Sequence, residues 1–201
     1  MKQLIHPIIT GHIKVTDRNT GEVLEDKDNA INYENISIAM ANTLSDQGKG
    51  WIYEMAFGNG GSAVDSTGVI TYLPPNVTGE NASLYNETYA KIVDQHSASN
   101  LDPLNNNMTV LHTAGNVYTD ILVTCLLDYG EPAGQQAFDN STNFNGNYVF
   151  DELGLKCWNG SATNLSLITH VVFHPVQKSL NRQIQIDYTL RIQTLTNLSA
   201  T

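Results

Sequence analysis

The sequence is poor in charge, and poorest in positive charge. Asp, Glu, Lys and Arg make up 15% of the 201 residues, against roughly 25% in an average soluble domain. Ten basic residues face twenty acidic ones, which gives a net charge of −10 at pH 7. Proteins that bind nucleic acid need clustered Lys and Arg to displace counterions from phosphates, whereas here these residues lie singly between Lys2 and Arg191. We therefore expect no nucleic-acid partner.

Long apolar runs are also missing. The apolar stretch from Leu4 to Ile9 is interrupted by His6 and Pro7, whereas a secretory leader needs about 7–15 apolar residues before a small-residue cleavage site. No segment approaches the roughly 18 apolar residues of a membrane-spanning helix. The sequence predicts a soluble chain that is made in the cytoplasm and has no membrane partner.

Cysteine is scarce. Cys125 and Cys157 are the only two, too few for the disulfide framework of a small secreted protein. They would bridge only if neighbouring strands brought them together. Buried free thiols are the favoured interpretation, because free cysteine behaves as a small hydrophobic residue. No adjacent His or helix start indicates an activated thiolate.

Amides and hydroxyls supply the polarity that charge does not. The chain has 22 Asn, 19 Thr and 12 Ser, and 41% of its residues are hydrophobic, which is enough for a packed core. The N-glycosylation triplet Asn-x-Ser/Thr starts at Asn35, Asn76, Asn81, Asn86, Asn107, Asn140, Asn159, Asn164 and Asn197. This frequency favours a glycoprotein, but the missing leader and disulfides favour an Asn- and Thr-rich β surface instead.

The first third of the chain predicts a hairpin followed by a helix. Residues 12–16 and 23–24 read as strands around the turn residues 17–22. Asp28 or Asn29 is the predicted cap of one amphipathic helix over about 29–45, which ends before the glycines at 48 and 50. The apolar positions that predict its buried face are Ile31, Ile38, Ala41 and Leu44, and Ala39 and Met40 widen that face.

The remainder is patterned as strands. Strands are predicted at 51–57, 69–73, 85–93, 108–113, 118–129, 148–155, 165–174 and 184–192. The last is the clearest, because five apolar residues alternate with polar ones and so predict one buried and one wet face. Many short strands with one helix predict a mainly β protein, an antiparallel β-sandwich or jelly-roll-like barrel. We expect an N-terminal arm and hairpin over 1–28 and a single β-sandwich domain over 29–201.

Three long polar loops separate these strands: 73–84, 95–107 and 130–147. Long loops on a β scaffold bind a ligand or fill the space between subunits. The hairpin around Asp17, Arg18, Glu22 and Glu25 and the loop around Pro74, Pro75, Asn76 and Asn81 are the predicted interface residues.

Candidate catalytic and metal-binding patterns are weak. His170 and His174 have helical metal-ligand spacing in a strand-like segment, where their rings would lie about 13 Å apart, so structural or surface roles are favoured. Residues 26–37 lack the glycine and the final Glu of a calcium loop. Residues 58–61 are glycine-rich without Lys and predict a tight or flexible connection. Asp151 and Glu152 are adjacent, so a strand would turn them to opposite faces. We expect no catalytic residue, cofactor or metal.

Several segments resemble structural proteins of tailed bacteriophages. The resemblance lies in residues 20–31 and the following alanine-containing helix, in Phe57–Gly61, in Leu84–Asn86, in Phe150–Leu155 and in Asp187–Arg191. It implies a virion component present in many copies, at the head surface, at the neck or collar, or in the tail or baseplate. It also implies a virion location, with other copies of the chain and other virion proteins as partners.

A second class of function stays open at this point. A carbohydrate- or receptor-binding β module would use exposed loop aromatics, for which Tyr72, Tyr85, Phe144 and Tyr148 are candidates. Low charge and abundant amides suit hydrogen-bonded, moderately wet interfaces between proteins. The favoured hypothesis is therefore a non-enzymatic structural protein, with glycan contact as the alternative.

Overall fold

The structure is a computed structural model in which residues 8–133 and 149–193 are described. The strands are β1 (Ile8–Asp17), β2 (Val23–Ile31), β3 (Ile52–Gly58), β4 (Ser62–Val64), β5 (Ile70–Tyr72), β6 (Glu87–Ile92), β7 (Asn107–Leu111), β8 (Tyr118–Leu127), β9 (Val149–Ser161), β10 (Asn164–Leu167), β11 (Thr169–Gln177) and β12 (Ile184–Gln193). The helix α1 (Tyr33–Leu44) lies between β2 and β3.

One antiparallel sheet of ten strands makes up most of the described chain. Its order is β6-β3-β9-β11-β2-β1-β12-β8-β7, with β10 paired to β9 outside this path. The sheet curls into a half-barrel, and β4 and β5 form a separate two-stranded sheet. The predicted mainly β, antiparallel architecture with one helix is confirmed.

The strand with the clearest alternation, β12, lies inside this sheet. It pairs along its whole length with β1 on one side and with β8 on the other. Ile184, Ile186, Tyr188 and Leu190 are each at most 2% exposed, because alternate residues of a strand point to one face. This buried face carries the main hydrophobic core.

The predicted N-terminal hairpin is β1 and β2, and it occupies the middle of the sheet. Its register pairs Gly11 with Asn29 and Lys14 with Asp26. Residue 28, the predicted limit of the N-terminal arm, thus lies within β2. A hairpin in this position is held by neighbouring strands on both sides.

The prediction that the helix starts at Asn29 is wrong. Residues 26–31 belong to β2, because β1 pairs with residues 23–29 and β11 pairs with Ala30 and Ile31. Sheet pairing outweighs the local capping preference of these residues. The N-cap is Asn32, whose Oδ1 accepts the N–H of Asn35 at 3.1 Å.

The predicted buried face of the helix is wrong at Ile38, Ala41 and Leu44, which are exposed. Ala39 of the predicted face is buried, and Asn35 and Ile36 are buried beside it. Asn35 fixes this orientation, since its Nδ2 donates to the carbonyls of Glu80 and Leu167 at 3.0 and 2.9 Å. The predicted end of the helix near Ser45 is confirmed, with Ser45 as the C-cap.

Several strand assignments differ from the sequence prediction. The segment 165–174 is divided between β10 and β11, and the first two residues of β11 pair with β2. β9 continues to Ser161 rather than ending at residue 155, and β4 was not predicted. Cys125 and Cys157 are buried free thiols, as predicted.

Among the described residues, no helix is long and apolar enough to cross a membrane.

Replacing the N-cap tests the observed helix start. Asn32→Ala removes the acceptor for the Asn35 N–H and the donor to the Gly79 carbonyl. We expect the free energy of unfolding to fall by about 2 kcal/mol in chemical denaturation. Asn42→Ala is the matched control, since the Asn42 side chain lies on the same helix without a described hydrogen bond; equal losses in both variants would contradict the assigned cap.

Candidate functional site

Polar groups converge where the connection between β3 and β4 meets β9. The N–H of Gly60 donates to Glu152 Oε1 at 3.1 Å, and the N–H of Gly61 donates to Asp151 Oδ1 at 2.9 Å. Both carboxylates are buried, Asp151 at 3% and Glu152 at 0% exposure. The consecutive N–H groups of Gly60 and Gly61 thus reach one carboxylate each, although Asp151 and Glu152 are adjacent on β9.

Glycine permits this approach. A Cβ atom on Gly58 would lie 2.5 Å from Glu152 Oε1, closer than atoms can pack. A Cβ atom on Gly61 would lie 2.8 Å from the Val172 side chain. The glycine-rich segment is therefore the tight connection that the sequence allowed.

Glu152 is saturated with hydrogen bonds. Oε1 accepts the N–H groups of Gly60 and Asn86, at 3.1 and 2.8 Å. Oε2 accepts the N–H of Tyr85 at 2.9 Å and lies 3.0 Å from Nε2 of His170. Because donors occupy both oxygens, the carboxylate is ionised and leaves no acceptor position for a substrate.

The contacts of His170 define its tautomer. Its Nδ1 lies 2.8 Å from the N–H of Asn76, a group that only donates. Nδ1 is therefore the unprotonated nitrogen, and Nε2 carries the proton that it donates to Glu152. The ring is fully buried, so the pair is a neutral imidazole against one carboxylate.

Electrostatics agree with an ionised Glu152. Burial by itself raises the pKa of this carboxyl, but hydrogen bonds from His170 and from three backbone N–H groups outweigh burial, so the pKa lies below its usual value. The carboxylate therefore stabilises the fold and is unsuited to act as a general acid.

Asp151 holds the same segment from the neighbouring position. Its Oδ2 accepts the N–H and the hydroxyl of Ser62, at 2.8 and 2.5 Å. Together, Asp151 and Glu152 fasten residues 60–62 and 85–86 to β9. We term Asp151, Glu152 and His170 the buried clasp.

The two histidines at metal-ligand spacing do not converge. His170 belongs to the buried clasp, whereas His174 is exposed and its Nδ1 lies 3.1 Å from the hydroxyl of Tyr72. The structural and surface interpretation is confirmed. Across residues 8–133 and 149–193, no three His, Cys, Asp or Glu side chains cluster so as to hold a metal ion.

A second group of charges surrounds the chain after β8. Lys91 is paired with Glu131 and donates to the carbonyl of Leu126 at 2.6 Å. Lys178 is 1% exposed and donates to the carbonyl of Ser179 at 2.9 Å. Burial lowers the pKa of Lys178 to about 8, against the opposing effect of Glu131. Both lysines donate hydrogen bonds to backbone carbonyls that need donors.

Of the eight predicted interface residues, Asp17 is the most buried. It is 5% exposed, and its carboxylate accepts Arg182 Nε at 2.7 Å and the N–H groups of Asn19 and Thr20. Burial raises the pKa of Asp17, but these hydrogen bonds outweigh burial and lower it. Among the others, Arg18, Glu22, Pro74, Pro75 and Asn81 are exposed, and Glu25 and Asn76 are half-buried.

Two of the four predicted aromatic residues, Tyr72 and Tyr85, lie in the part of the chain that the structure describes. Phe144 and Tyr148 lie outside the described residues. Tyr72 and Tyr85 are 51% and 41% exposed, and the hydroxyl of Tyr85 donates to the carbonyl of Pro74 at 2.6 Å. A different cluster, of Trp51, Tyr53 and Trp158, was missed because its members come from β9 and from the start of β3, far apart in sequence.

An apolar cavity of about 430 Å³ lies beside this cluster. Side chains of α1, β7, β8 and β12 contribute to its wall, including Ile36, Met40, Leu44, Trp51, Met108, Val110, Ile121 and Leu190. We term it the apolar groove. Leu44 is 84% exposed and Val110 is 69% exposed. The sequence prediction missed this groove because it assigned exposed residues of the helix to the buried face.

Comparisons with protein-family models, with curated proteins and with solved structures found no match.

Glu152→Gln tests the buried clasp. Either orientation of the amide sets its NH2 group against two N–H donors, so we expect the free energy of unfolding at pH 7 to fall by roughly 3 kcal/mol. Because the pKa of folded Glu152 lies below 4.5, the carboxylate stabilises the fold fully above that pH and loses this effect as the pH falls through the folded pKa. The difference between wild type and variant should therefore shrink in acid.

Denaturant titrations from pH 7 to acid measure this difference. Glu22→Gln is the matched control, because Glu22 is exposed and far from the clasp in the sheet; it should leave stability unchanged within about 0.5 kcal/mol. A difference for Glu152→Gln that persists undiminished into acid would show that the carboxylate is not the stabilising group.

Proposed function

We propose that the chain is a non-enzymatic structural protein that assembles in several copies, as a component of a tailed-phage virion. The resemblance to phage structural proteins raises this hypothesis. The observation that carries it is a pair of apolar surfaces that the described residues leave exposed, on a chain in which the buried clasp, Asp17 and Lys178 are occupied by hydrogen bonds within the fold. A general acid, a base or a nucleophile needs an accessible titratable group, and the buried clasp offers none.

The first surface is the apolar groove. Its exposed members Leu44 and Val110 lie on α1 and on β7, an edge strand of the large sheet. Fully burying one such side chain contributes about 1.5–3 kcal/mol. Edge strands with exposed apolar side chains are sites of pairing between chains. The groove therefore suits a protein partner with an apolar protrusion.

The second surface lies on the separate two-stranded sheet. The hairpin of β4 and β5 carries Val64, Val69 and Tyr72, which are 64%, 56% and 51% exposed. We term it the apolar hairpin. It continues directly into Pro74 and Pro75, the predicted interface loop. No residue is shared between the hairpin and the lining of the groove.

Two different complementary patches on one chain favour a head-to-tail contact. Contacts of this kind close into rings or continue as filaments, whereas a patch that meets itself gives a dimer. The hairpin of one copy entering the groove of the next accounts for both exposed surfaces. Rings and filaments are the forms in which a virion protein repeats around a neck, a tail or a baseplate.

Complementary variants test this assembly. Leu44→Lys/Val110→Lys spoils the groove, and Val64→Lys/Val69→Lys spoils the hairpin; each should weaken self-association at least roughly a hundredfold. Each variant alone should be a monomer by sedimentation or mass photometry. An equimolar mixture should form a dimer and nothing larger, because one intact groove meets one intact hairpin.

Leu101→Lys/Leu104→Lys is the matched control. It adds the same charge at leucines that are 95% and 89% exposed and outside both surfaces, and it should assemble as the wild type does. A wild-type chain that stays monomeric at millimolar concentration would refute the proposed assembly. An assembling wild type whose two spoiled variants do not dimerise on mixing would refute the hairpin-to-groove contact.

The virion location has its own test. Gold-labelled antibody against this chain should decorate tailed-phage particles at one repeated position in electron micrographs. Particles that contain none of the chain would contradict the location without affecting the assembly result.

A further inference from the structure

A stack of three aromatic rings lies where the start of β3 meets the end of β9. The backbone N–H of Trp158 donates to the carbonyl of Trp51 at 2.9 Å, and the two rings stack at 14° with centroids 6.0 Å apart. Tyr53 packs on Trp158 with centroids 4.8 Å apart and is 6% exposed. Trp51 stays 37% exposed. The stack is thus a rigid platform with one ring open to solvent.

A cavity of about 660 Å³ adjoins this platform, within the usual range for small-molecule sites. The segment 94–99 also lines it, through Asp94, His96, Ser97, Ala98 and Ser99. This segment is held in place by its own hydrogen bonds, in which Asn100 donates to the carbonyls of Asp94 and Asn106 at 3.2 and 2.8 Å. The cavity is therefore preformed.

Asp94 contributes a carboxylate to the lining of this cavity. Its Oδ1 accepts the N–H of His96 at 2.9 Å and lies 3.6 Å from Nδ1 of the His96 ring. Oδ2 accepts no hydrogen bond from the residues that the structure describes, and solvent reaches it. This oxygen is therefore open to a donor that a ligand brings.

We infer that this cavity, which we term the aromatic site, binds a saccharide. One face of a hexose consists of C–H groups, which pack on an exposed indole such as Trp51. Its rim consists of hydroxyls, which donate to a carboxylate such as Asp94 Oδ2. The site combines both features on one rigid frame.

The stacking geometry favours a saccharide over an organic cation. Aromatic rings with a carboxylate also attract ammonium groups, which are held against open ring faces. Cages for such cations surround the charge with rings, whereas Trp51 and Trp158 lie on each other at 6.0 Å and leave no space between them. A single open platform matches a flat sugar ring.

This inference goes beyond the proposed assembly and does not rest on it. Trp51, His96 and Met108 line both the aromatic site and the apolar groove. The binding experiment is therefore done with the wild type and with the monomeric Leu44→Lys/Val110→Lys variant, so that self-association cannot pass for ligand binding.

The tryptophans provide a specific readout. The chain has two, Trp51 and Trp158, and both line the aromatic site, so tryptophan fluorescence and the two indole N–H signals in the NMR spectrum report on its occupation. Trp158 does not line the apolar groove, so its signal separates the two surfaces. The probes are glucose, galactose, N-acetylglucosamine, lactose, cellobiose and chitobiose. We expect at least one to shift the indole signals saturably, with a dissociation constant on the order of millimolar for a monosaccharide.

Two variants assign the binding to named residues. Asp94→Asn keeps an acceptor for the His96 N–H and should weaken binding about tenfold, since it removes a charge-assisted hydrogen bond. Trp51→Ala should weaken it at least as much, read from the Trp158 signal. Tyr33→Ala is the matched control, because this ring is 60% exposed and lines neither the aromatic site nor the apolar groove; it should bind as the wild type does.

Three results would overturn the inference. The first is that none of the six saccharides moves either indole signal at tens of millimolar. The second is that Asp94→Asn, folded by circular dichroism, binds as tightly as the wild type. The third is that tetramethylammonium shifts the indoles while the saccharides do not, which would assign the site to cations.

Discussion

The positions of residues 58–62 and 85–86 depend on one interaction, the hydrogen bonding of the ionised, buried carboxylate of Glu152. An interior charge is tolerated when hydrogen bonds replace the water that it has lost. Here the donors are three backbone N–H groups and one imidazole, from segments far apart in the chain. Residues 58–62 and 85–86 contain few apolar side chains that could anchor them, so the carboxylate determines where they lie.

The same constraint limits what these groups can do chemically. His170 is a neutral donor with its other nitrogen occupied by the Asn76 N–H, and Asp17 is held by Arg182. Groups committed in this way stabilise the chain and are closed to substrates. The surfaces that remain uncommitted are apolar or aromatic: the apolar groove, the apolar hairpin and the aromatic site. The proposed assembly and the proposed saccharide binding both rest on that division.

Sequence reasoning predicts the parts of this molecule that depend on local pattern. The alternation in β12 predicts its buried face, because β1 and β8 cover the strand evenly on both edges. The segment 26–29 shows where this reasoning stops. Its Asp and Asn residues suit a helix cap as well as they suit a strand, and only the pairing with β1 decides between the two. The orientation of the helix is not predicted for a similar reason, because it depends on the hydrogen bonds that Asn35 donates to the carbonyls of Glu80 and Leu167.

The candidate sites lie beyond local pattern altogether. Glu152 accepts hydrogen bonds from Tyr85 and Asn86, which lie far away in the sequence, and no residue spacing predicts that contact. Trp51 and Trp158 stack because β3 and β9 pair, which composition alone does not reveal. Composition indicates a chain low in charge and rich in amides, but it places no contact: Glu54 and Glu87 converge on Lys156 at 3.1 and 2.7 Å, and no spacing predicts that they do.

Hydrogen–deuterium exchange at low and high protein concentration measures whether the apolar groove and the apolar hairpin contact other copies of the chain. Raising the concentration should slow exchange in peptides covering α1, β7 and the apolar hairpin, while peptides of the buried clasp should exchange slowly at every concentration. Exchange in α1, β7 and the hairpin that does not change with concentration, in a chain that stays monomeric, would contradict the proposed assembly.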